Sequence, residues 1–391
     1  MRTLAGQIVF GALTGLLCGV ASAVFLVALD AVTGFRASHG WLPFWLPLAG
    51  VAIGLVYERY GQSVKRGTGL ILDRARDGGD QVPARMVPMV LLGTLATHLF
   101  GGSAGREGTA VQMGAAMADA ISFRFKLKHG LRRQLLLAGV AGGFGSVFGT
   151  PVAGALFALE FVVPWKWQWR SAVPVVIASL VGDRVTRLLG VEHTAYPRVG
   201  SLAPSLVLLG KWTIFAIAVL LVTLAFIELS HAIKSLEKRA RLPVRMFVGG
   251  LAVVLLWQAL GTDDHLGLGV PTIVRAFGDP SVPTWSFAAK LLLTAITVGV
   301  GFIGGEVTPL FFIGATLGNA LASWLGLPLD LAAAVGMAAV FGVAANAPIA
   351  LAVMAVELVG WSVFPHVLFV SVLAHVLNHR RRSIYQSASV R

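Results

Sequence analysis

Long apolar runs separated by short polar segments dominate the pattern of this 391-residue chain. A membrane-spanning helix needs about 20 apolar residues, so these runs supply many spans, and several are long enough for two short segments. Only 13% of the residues are charged, and the mean hydropathy is +0.80. The pattern predicts an all-helical integral membrane protein. The apolar runs lie near residues 4–32, 40–57, 86–102, 134–163, 204–229, 246–261, 285–304 and 330–378.

The charged residues are concentrated in short segments between the apolar runs. Lysine and arginine outnumber the acidic residues by 31 to 18, which gives a net charge of +13. Nucleic-acid binding is one reading of such a charge. However, short basic loops beside apolar spans usually mark the cytoplasmic side of a membrane. We therefore expect a multi-pass protein of the plasma (inner) membrane with no nucleic-acid partner. Both termini, including the basic tail at 380–382, should lie in the cytoplasm.

An internal repeat relates the two halves of the chain. A shift of 197 residues places segment 138–161 on segment 335–358, so that a phenylalanine, a proline and a glutamate fall in one register. The residues alone leave open whether the two halves are inverted or parallel. The aligned pairs are Phe144 with Phe341, Pro151 with Pro348, Glu160 with Glu357 and, after a small gap, Gly105, Glu107 and Thr109 with Gly304, Glu306 and Thr308.

The repeat predicts the organisation of the whole chain. We expect a single transmembrane domain, 1–391, built as two related halves of about 1–200 and 201–391, without a soluble regulatory domain. Repeats of this kind in transporters place the binding site at their interface, near the middle of the membrane. Glu160 and Glu357 close the repeated helices, and we expect their carboxylates to bond backbone amides in a structural role.

A glutamate lies between glycines in the segment 105–109, which reads Gly-Arg-Glu-Gly-Thr. An acidic side chain in the middle of a membrane helix costs about 2.5–3.5 kcal/mol, so its presence points to a function. Glycines at the start of a helix leave backbone N–H groups unshielded, and the helix dipole makes that end attractive to anions. Glu107 could occupy such a site as a tethered anion and leave it when protonated. The alternative, a capping glutamate at a water interface, stays open at this point.

Two further glycine-rich segments carry polar side chains of the same kind. Segment 304–309 reads Gly-Gly-Glu-Val-Thr-Pro, in which Thr308 offers a hydroxyl donor to an anion and Glu306 is a second protonatable group. Proline is well placed in a first helical turn, where a missing N–H costs nothing. Segment 66–70 offers the Thr68 hydroxyl in a similar turn. The alternatives are a cap facing solvent for Glu306 and a plain turn at Thr68.

These motifs, taken in order, resemble the CLC family of anion channels and transporters. The resemblance rests on segment 105–108 followed by Val-Gln-Met-Gly at 111–114, on the helix at 151–160, on Gly-Glu-Val-Thr-Pro at 305–309, and on the late Tyr385. It implies an all-α, inverted-repeat fold of many short, tilted and broken helices. It also implies a homodimer with one pathway in each subunit.

The resemblance also assigns roles to residues. It implies that Glu107 is the gating glutamate and that Tyr385 is the pore tyrosine. Thr68 falls where chloride-selective members usually carry a serine. The implied gating and proton-coupling residues are Glu107 and Glu306, and the implied anion-binding residues are Thr68, Gly105, Arg106, Gly108, Gly305, Val307, Thr308 and Tyr385.

Departures from the family pattern point to its fluoride-exporting branch. Val307 replaces a phenylalanine and follows Glu306, and Thr109 replaces the usual proline after Glu-Gly. The second, inner glutamate of chloride/proton exchangers is missing, since Phe161 directly follows Glu160. Glu306 is therefore a candidate for handling the proton or the fluoride. The resemblance implies a proton-coupled fluoride exporter whose partners are fluoride or chloride, protons, the lipid bilayer and a second copy of the chain.

Other functions remain as alternatives. A chloride/proton exchanger or a passive anion channel would use the same fold. An intramembrane hydrolase is another possibility, because Gly-Gly-Ser-Ala-Gly at 101–105 matches the Gly-x-Ser-x-Gly pattern, with His98 nearby. A purely structural scaffold would leave the paired acidic residues unexplained. The flanks of the segment 101–105 are apolar and helix-like, whereas a hydrolase motif needs a strand–turn–helix context, so we expect a protein that is not an enzyme. No phosphate-binding loop motif occurs, so we do not expect ATP to drive transport, and without a metal-type cysteine cluster we expect no cofactor or metal.

Overall fold

The computed structural model describes residues 4–160, 162, 167–203, 205–378 and 383–385. Within these residues the chain forms sixteen α-helices and no β-strand. The predicted all-α fold is therefore confirmed. The helices are α1 (Leu4–Ser38), α2 (Leu46–Tyr60), α3 (Thr68–Asp77), α4 (Met86–Leu99), α5 (Glu107–Arg124), α6 (His129–Phe148), α7 (Pro151–Glu160), α8 (Ala172–Leu188), α9 (Leu206–Lys234), α10 (Leu242–Leu260), α11 (Val270–Arg275), α12 (Ser286–Val300), α13 (Val307–Leu325), α14 (Leu329–Ala345), α15 (Pro348–Val359) and α16 (Phe364–Leu377).

The long apolar runs of the sequence divide into several helices. The run at 330–378 contains α14, α15 and α16, and the run at 134–163 contains α6 and α7. Among the described residues, four helical segments are long and apolar enough to cross a membrane by themselves, and they comprise α1, α10, α13 and α9 with the turn that follows it. The prediction of many short helices is confirmed.

Glycines allow the helices of each half to cross in backbone contact. A Cβ atom on Gly114 of α5 would lie 2.2 Å from the Gly139 carbonyl oxygen of α6. In the other half, a Cβ atom on Gly314 of α13 would lie 2.1 Å from the Gly336 carbonyl oxygen of α14. Such close crossings are typical of membrane helices, where small residues let backbones approach. The two helix pairs are therefore equivalent parts of the repeat.

The two halves meet at a pair of glycines and run in opposite directions there. Gly105 donates its N–H to the Gly305 carbonyl at 2.6 Å, and Gly305 donates to the Gly105 carbonyl at 2.7 Å, in antiparallel orientation. Because the two chain segments are antiparallel at this bridge, the helices that follow, α5 and α13, leave it towards opposite sides. The halves are thus inverted, which the residue pattern alone left open.

This glycine bridge corrects the register that we inferred for the repeat. The sequence comparison aligned Gly105 with Gly304, whereas the structure pairs Gly105 with Gly305. Helix α5 begins at Glu107 and α13 begins at Val307. Glu107 and Val307 are therefore the equivalent residues, and Glu306 takes the place that Arg106 has in the first half.

The repeated glutamates cap each other's helices across the two halves. Glu357 accepts hydrogen bonds from the N–H groups of Val152 and Ala153, at 3.0 and 2.7 Å, at the start of α7. Glu160 accepts from the N–H of Ala350 at 2.9 Å, at the start of α15. A carboxylate at a helix N-terminus satisfies unpaired amides and the helix dipole. The structural role predicted for both glutamates is confirmed.

Two segments that the sequence pattern singled out lie outside the described residues. They are Phe161, which follows Glu160, and the basic tail at 380–382. The expected cytoplasmic position of the tail stays a prediction.

Candidate functional site

Glu107 lies at the junction of the two halves and is 1% exposed. Its Oε2 atom accepts hydrogen bonds from the backbone N–H groups of Arg106 and Thr308, both at 3.1 Å. Its Oε1 atom accepts the hydroxyl of Thr308. The carboxylate thus connects the first residue of α5 to the first turn of α13. This burial excludes a cap exposed at a water interface.

The surroundings of this carboxylate are positive. The N-terminus of a helix carries about half a positive charge, and α5 and α13 both begin here. The Arg106 side chain is largely buried, and its Nε atom lies 3.6 Å from the Glu107 Oε1 atom. A buried carboxylate is tolerated only where hydrogen bonds and opposite charge replace its water. The Glu107 carboxylate therefore fills an anion-binding environment that its own chain provides.

Glycines make this junction possible, because three of them bring the two backbones into contact. A Cβ atom on Gly305 would lie 2.7 Å from the Gly108 nitrogen, and one on Gly108 would lie 3.1 Å from the Gly305 Cα atom. A Cβ atom on Gly105 would lie 2.9 Å from the Glu107 Oε2 atom. Any larger residue would push α5 and α13 apart and displace the donors around the carboxylate.

Helix α13 begins with an apolar residue, directly after a second acidic residue. Val307, its first residue, is buried. Glu306 precedes it, is partly buried, and makes no side-chain capping bond to the helix. Two charged residues interact electrostatically with the Glu306 carboxyl: the Glu107 carboxylate and Lys234, an exposed basic residue of α9.

Tyr385 approaches the same region from the end of the described chain. Its position is fixed by the preceding residue, because Ile384 donates its N–H to the Ala344 carbonyl at 3.0 Å. Burial, together with the charges of Glu306 and Glu107, raises the pKa of the Tyr385 phenol. Both acidic residues that the sequence singled out therefore act electrostatically on Tyr385.

Thr68 is hydrogen-bonded to Gln112 of α5, a residue to which the sequence pattern assigned no role. Thr68 begins α3, after Gly67 with a φ of +53°. Its hydroxyl oxygen accepts a hydrogen bond from the side-chain amide of Gln112 at 3.2 Å. Gln112 is part of the Val-Gln-Met-Gly segment after the gate motif, yet nothing in its spacing indicates a contact with a residue 44 positions earlier.

An open vestibule is lined mainly by the segment 190–198, which follows α8. Its volume is about 610 Å³. Tyr196, in its lining, interacts electrostatically with Arg106 and Glu107. Burial lowers the pKa of His193 in the same lining, which favours its neutral form. The cationic groups of the vestibule are therefore the arginines of its lining, Arg187 and Arg198.

The side chains of the Gly-x-Ser-x-Gly segment do not form a hydrolase site. The Ser103 hydroxyl pairs with the Thr294 hydroxyl at 2.8 Å. The ring nitrogens of His98 lie 2.8 and 3.0 Å from the carbonyl oxygens of Thr94 and Ala104. A nucleophilic serine needs a general base within hydrogen-bonding reach, and both ring nitrogens of His98 are engaged by backbone carbonyls instead. Ser103 and His98 therefore serve the packing of the segment before Gly105.

Comparison with known proteins agrees with this architecture. The family model for voltage-gated chloride channels matches residues 49–379. A chloride/fluoride channel protein from Pseudomonas syringae pv. tomato is 44% identical over 97% of this chain and 85% of its own length. The crystal structure of a CLC-type fluoride/proton antiporter has a TM-score of 0.93 and 33% identity, covering 98% of this chain and 97% of that one. An H+/Cl− exchange transporter from Vibrio cholerae serotype O1 is 27% identical over 88% of this chain and 80% of its own length. The resemblance seen in the motifs is confirmed, and the chain belongs to the CLC family of anion channels and transporters.

Proposed function

We propose that this protein exports fluoride in exchange for protons, with Glu107 as the gate. The observation that carries the proposal is the Glu107 carboxylate, which accepts two backbone N–H groups and the Thr308 hydroxyl where two helix N-termini meet. The proposal is supported by similarity to proteins described as a chloride/fluoride channel and a CLC-type fluoride/proton antiporter. As a member of this family the chain is a transporter or channel rather than an enzyme.

The exchange of an anion for a proton follows from the ionisation state of Glu107. An ionised Glu107 holds the donors itself and excludes a second anion by repulsion. A protonated Glu107 is a much weaker acceptor, so it releases the donors and an arriving anion binds them in its place. Proton and anion therefore use one site in turn. Fluoride is small and strongly hydrated, and it leaves water only where strong N–H and O–H donors replace its hydration shell.

The proposed anion-binding residues act mainly through their backbone. The N–H groups of Arg106 and Thr308 and the Thr308 hydroxyl would bind the anion when Glu107 leaves. Gly105, Gly108 and Gly305 let these donors converge, and the Arg106 guanidinium adds positive charge. Val307 closes the site on its apolar side, while Thr68 and Tyr385 would supply hydroxyl donors at other points of the path.

Glu306 is proposed to pass protons between the gate and the surface. Electrostatic interactions of its carboxyl with both Glu107 and the exposed Lys234 support this role. This role would replace that of the inner glutamate, which is missing near Glu160, where Phe161 follows directly. The partly buried setting of Glu306 also suits an alternating charged and neutral state.

The assembly and location remain part of the proposal. The chain would act as a homodimer with a pathway in each subunit, in the plasma (inner) membrane and with both termini in the cytoplasm. The division into halves of about 1–200 and 201–391, without a soluble regulatory domain, is proposed with it. The second candidate function is chloride/proton exchange or passive anion conduction, which the similarity to an H+/Cl− exchange transporter favours.

Anion selectivity separates the two candidate functions. Proteoliposomes of the purified protein, loaded with potassium fluoride or potassium chloride, should release fluoride at least about tenfold faster than chloride after addition of a potassium ionophore. The expected preference corresponds to about 1.4 kcal/mol between the two anions. Ion-selective electrodes measure both rates, and protein-free vesicles give the leak. Chloride release as fast as fluoride release would reject fluoride export in favour of the second candidate.

A further inference from the structure

Gln112 belongs to α5, the helix that begins with Glu107, and its side chain contacts the turn that carries Thr68. Its Nε2 atom donates to the Thr68 hydroxyl oxygen at 3.2 Å. A Cβ atom on Gly67 would lie 3.3 Å from the same Nε2 atom, and one on Gly108 would lie 4.0 Å from it. The amide therefore fills the gap between the 67–68 turn and the first turn of α5. Gly108, in turn, contacts Gly305 at the junction of the halves.

The direction of this hydrogen bond determines what Thr68 offers to a ligand. A threonine hydroxyl has one proton to donate and two lone pairs to accept with. Because the Gln112 amide donates, it uses a lone pair of the hydroxyl and leaves the hydroxyl proton for another acceptor. Thr68 is only partly buried, so its hydroxyl can meet a passing anion. A hydroxyl held as a donor attracts anions, whereas a freely rotating one loses entropy when it binds.

We infer that Gln112 is a positioning residue that holds the Thr68 hydroxyl with its proton directed at the transported anion. The inference rests on the proposed function, because it concerns an anion on its way to Glu107. It makes Thr68 and Gln112 a single functional unit, in which Gln112 never touches the anion. Because Gln112 belongs to α5, which begins with the gating carboxylate, the position of the Thr68 hydroxyl is also linked to the helix of the gate.

A double-mutant cycle on transport tests this inference. Fluoride efflux from proteoliposomes is measured for wild type, Gln112→Met, Thr68→Val and the double variant. Loss of one neutral hydrogen bond should slow efflux by about three- to tenfold in each single variant. The double variant should be no slower than Thr68→Val alone, because the amide acts only through the hydroxyl. A residue that merely supports packing would give effects that multiply.

The control is a second glutamine that also makes a hydrogen bond to a distant side chain. Gln134 on α6 accepts an amide hydrogen bond from Gln7 at 2.9 Å and is partly buried. Gln134→Met should leave the efflux rate unchanged. If Gln112→Met is not recovered as folded protein, Gln112→Asn, whose amide is too short to reach Thr68, takes its place in the cycle with the same expectation.

Multiplying effects in the cycle, or an unchanged rate in the Gln112 variant, would overturn the inference. Its failure is distinct from failure of the proposed function. Should the wild type move chloride and not fluoride, fluoride export is rejected, and the same cycle measured with chloride decides whether Gln112 acts through Thr68.

Discussion

Replacing Glu107 with alanine is expected to strengthen fluoride binding by at least about tenfold. In the wild type the carboxylate holds the donors of Arg106 and Thr308 and competes with any anion from within the same chain. A hydrogen bond to a charged group contributes about 1.5–3 kcal/mol, and about 1.4 kcal/mol corresponds to a factor of ten in affinity. Removing the competitor frees the donors, and isothermal titration of the purified protein with sodium fluoride measures the change.

The matched control for this substitution is Glu237→Ala. Glu237 is an exposed acidic residue that lies 3.9 Å from Lys65 and is far in sequence from either helix start. Its removal changes the net charge by the same amount and should leave the affinity for fluoride unchanged. Unchanged or weaker binding in Glu107→Ala would show that the carboxylate does not occupy the anion site.

Substitution of Gly305 by alanine is expected to slow transport by about a hundredfold and to destabilise the protein. The added Cβ atom would lie 2.7 Å from the Gly108 nitrogen, so the two halves must separate at the junction. Overpacking of this kind costs about 1–3 kcal/mol in unfolding free energy. A displacement of about 1 Å at a site can reduce a rate by about a hundredfold. Fluoride efflux and thermal unfolding in detergent measure the two effects.

Gly210→Ala is the appropriate comparison for this prediction. Gly210 lies in α9, is exposed, and has no atom within 4 Å of an added Cβ. Alanine there should stabilise the helix slightly, by up to about 1 kcal/mol, and leave efflux unaltered. A Gly305→Ala protein as active as the wild type would contradict the role assigned to the glycine bridge.

The sequence could reveal those residues whose burial is energetically unfavourable unless the fold compensates for it. Glu107 stood out because a carboxylate in apolar sequence needs compensation, and the structure surrounds it with donors. Glu160 and Glu357 were found because the repeat aligned them, and each caps a helix of the opposite half. The division of long apolar runs into short helices was predictable from their length and their glycine and proline content.

Contacts between distant segments could not be read from the pattern. The register at the bridge was wrong by one residue because Gly304 and Gly305 are adjacent and identical, and only backbone pairing distinguishes them. The partnership of Gln112 with Thr68 depends on how the 67–68 turn packs on α5. Neither residue is unusual for a helix or a turn, so neither carried a local signal of the contact.

Proton-driven movement of fluoride against its own gradient tests the central claim most directly. Proteoliposomes with equal fluoride inside and outside are given a proton gradient, and a fluoride electrode follows the external concentration. The wild type is expected to drive fluoride in the direction opposite to the protons, whereas Glu107→Gln, which cannot ionise, should move none uphill, and Glu306→Gln should be impaired in the same way. Uphill fluoride movement by Glu107→Gln equal to that of the wild type would contradict the account.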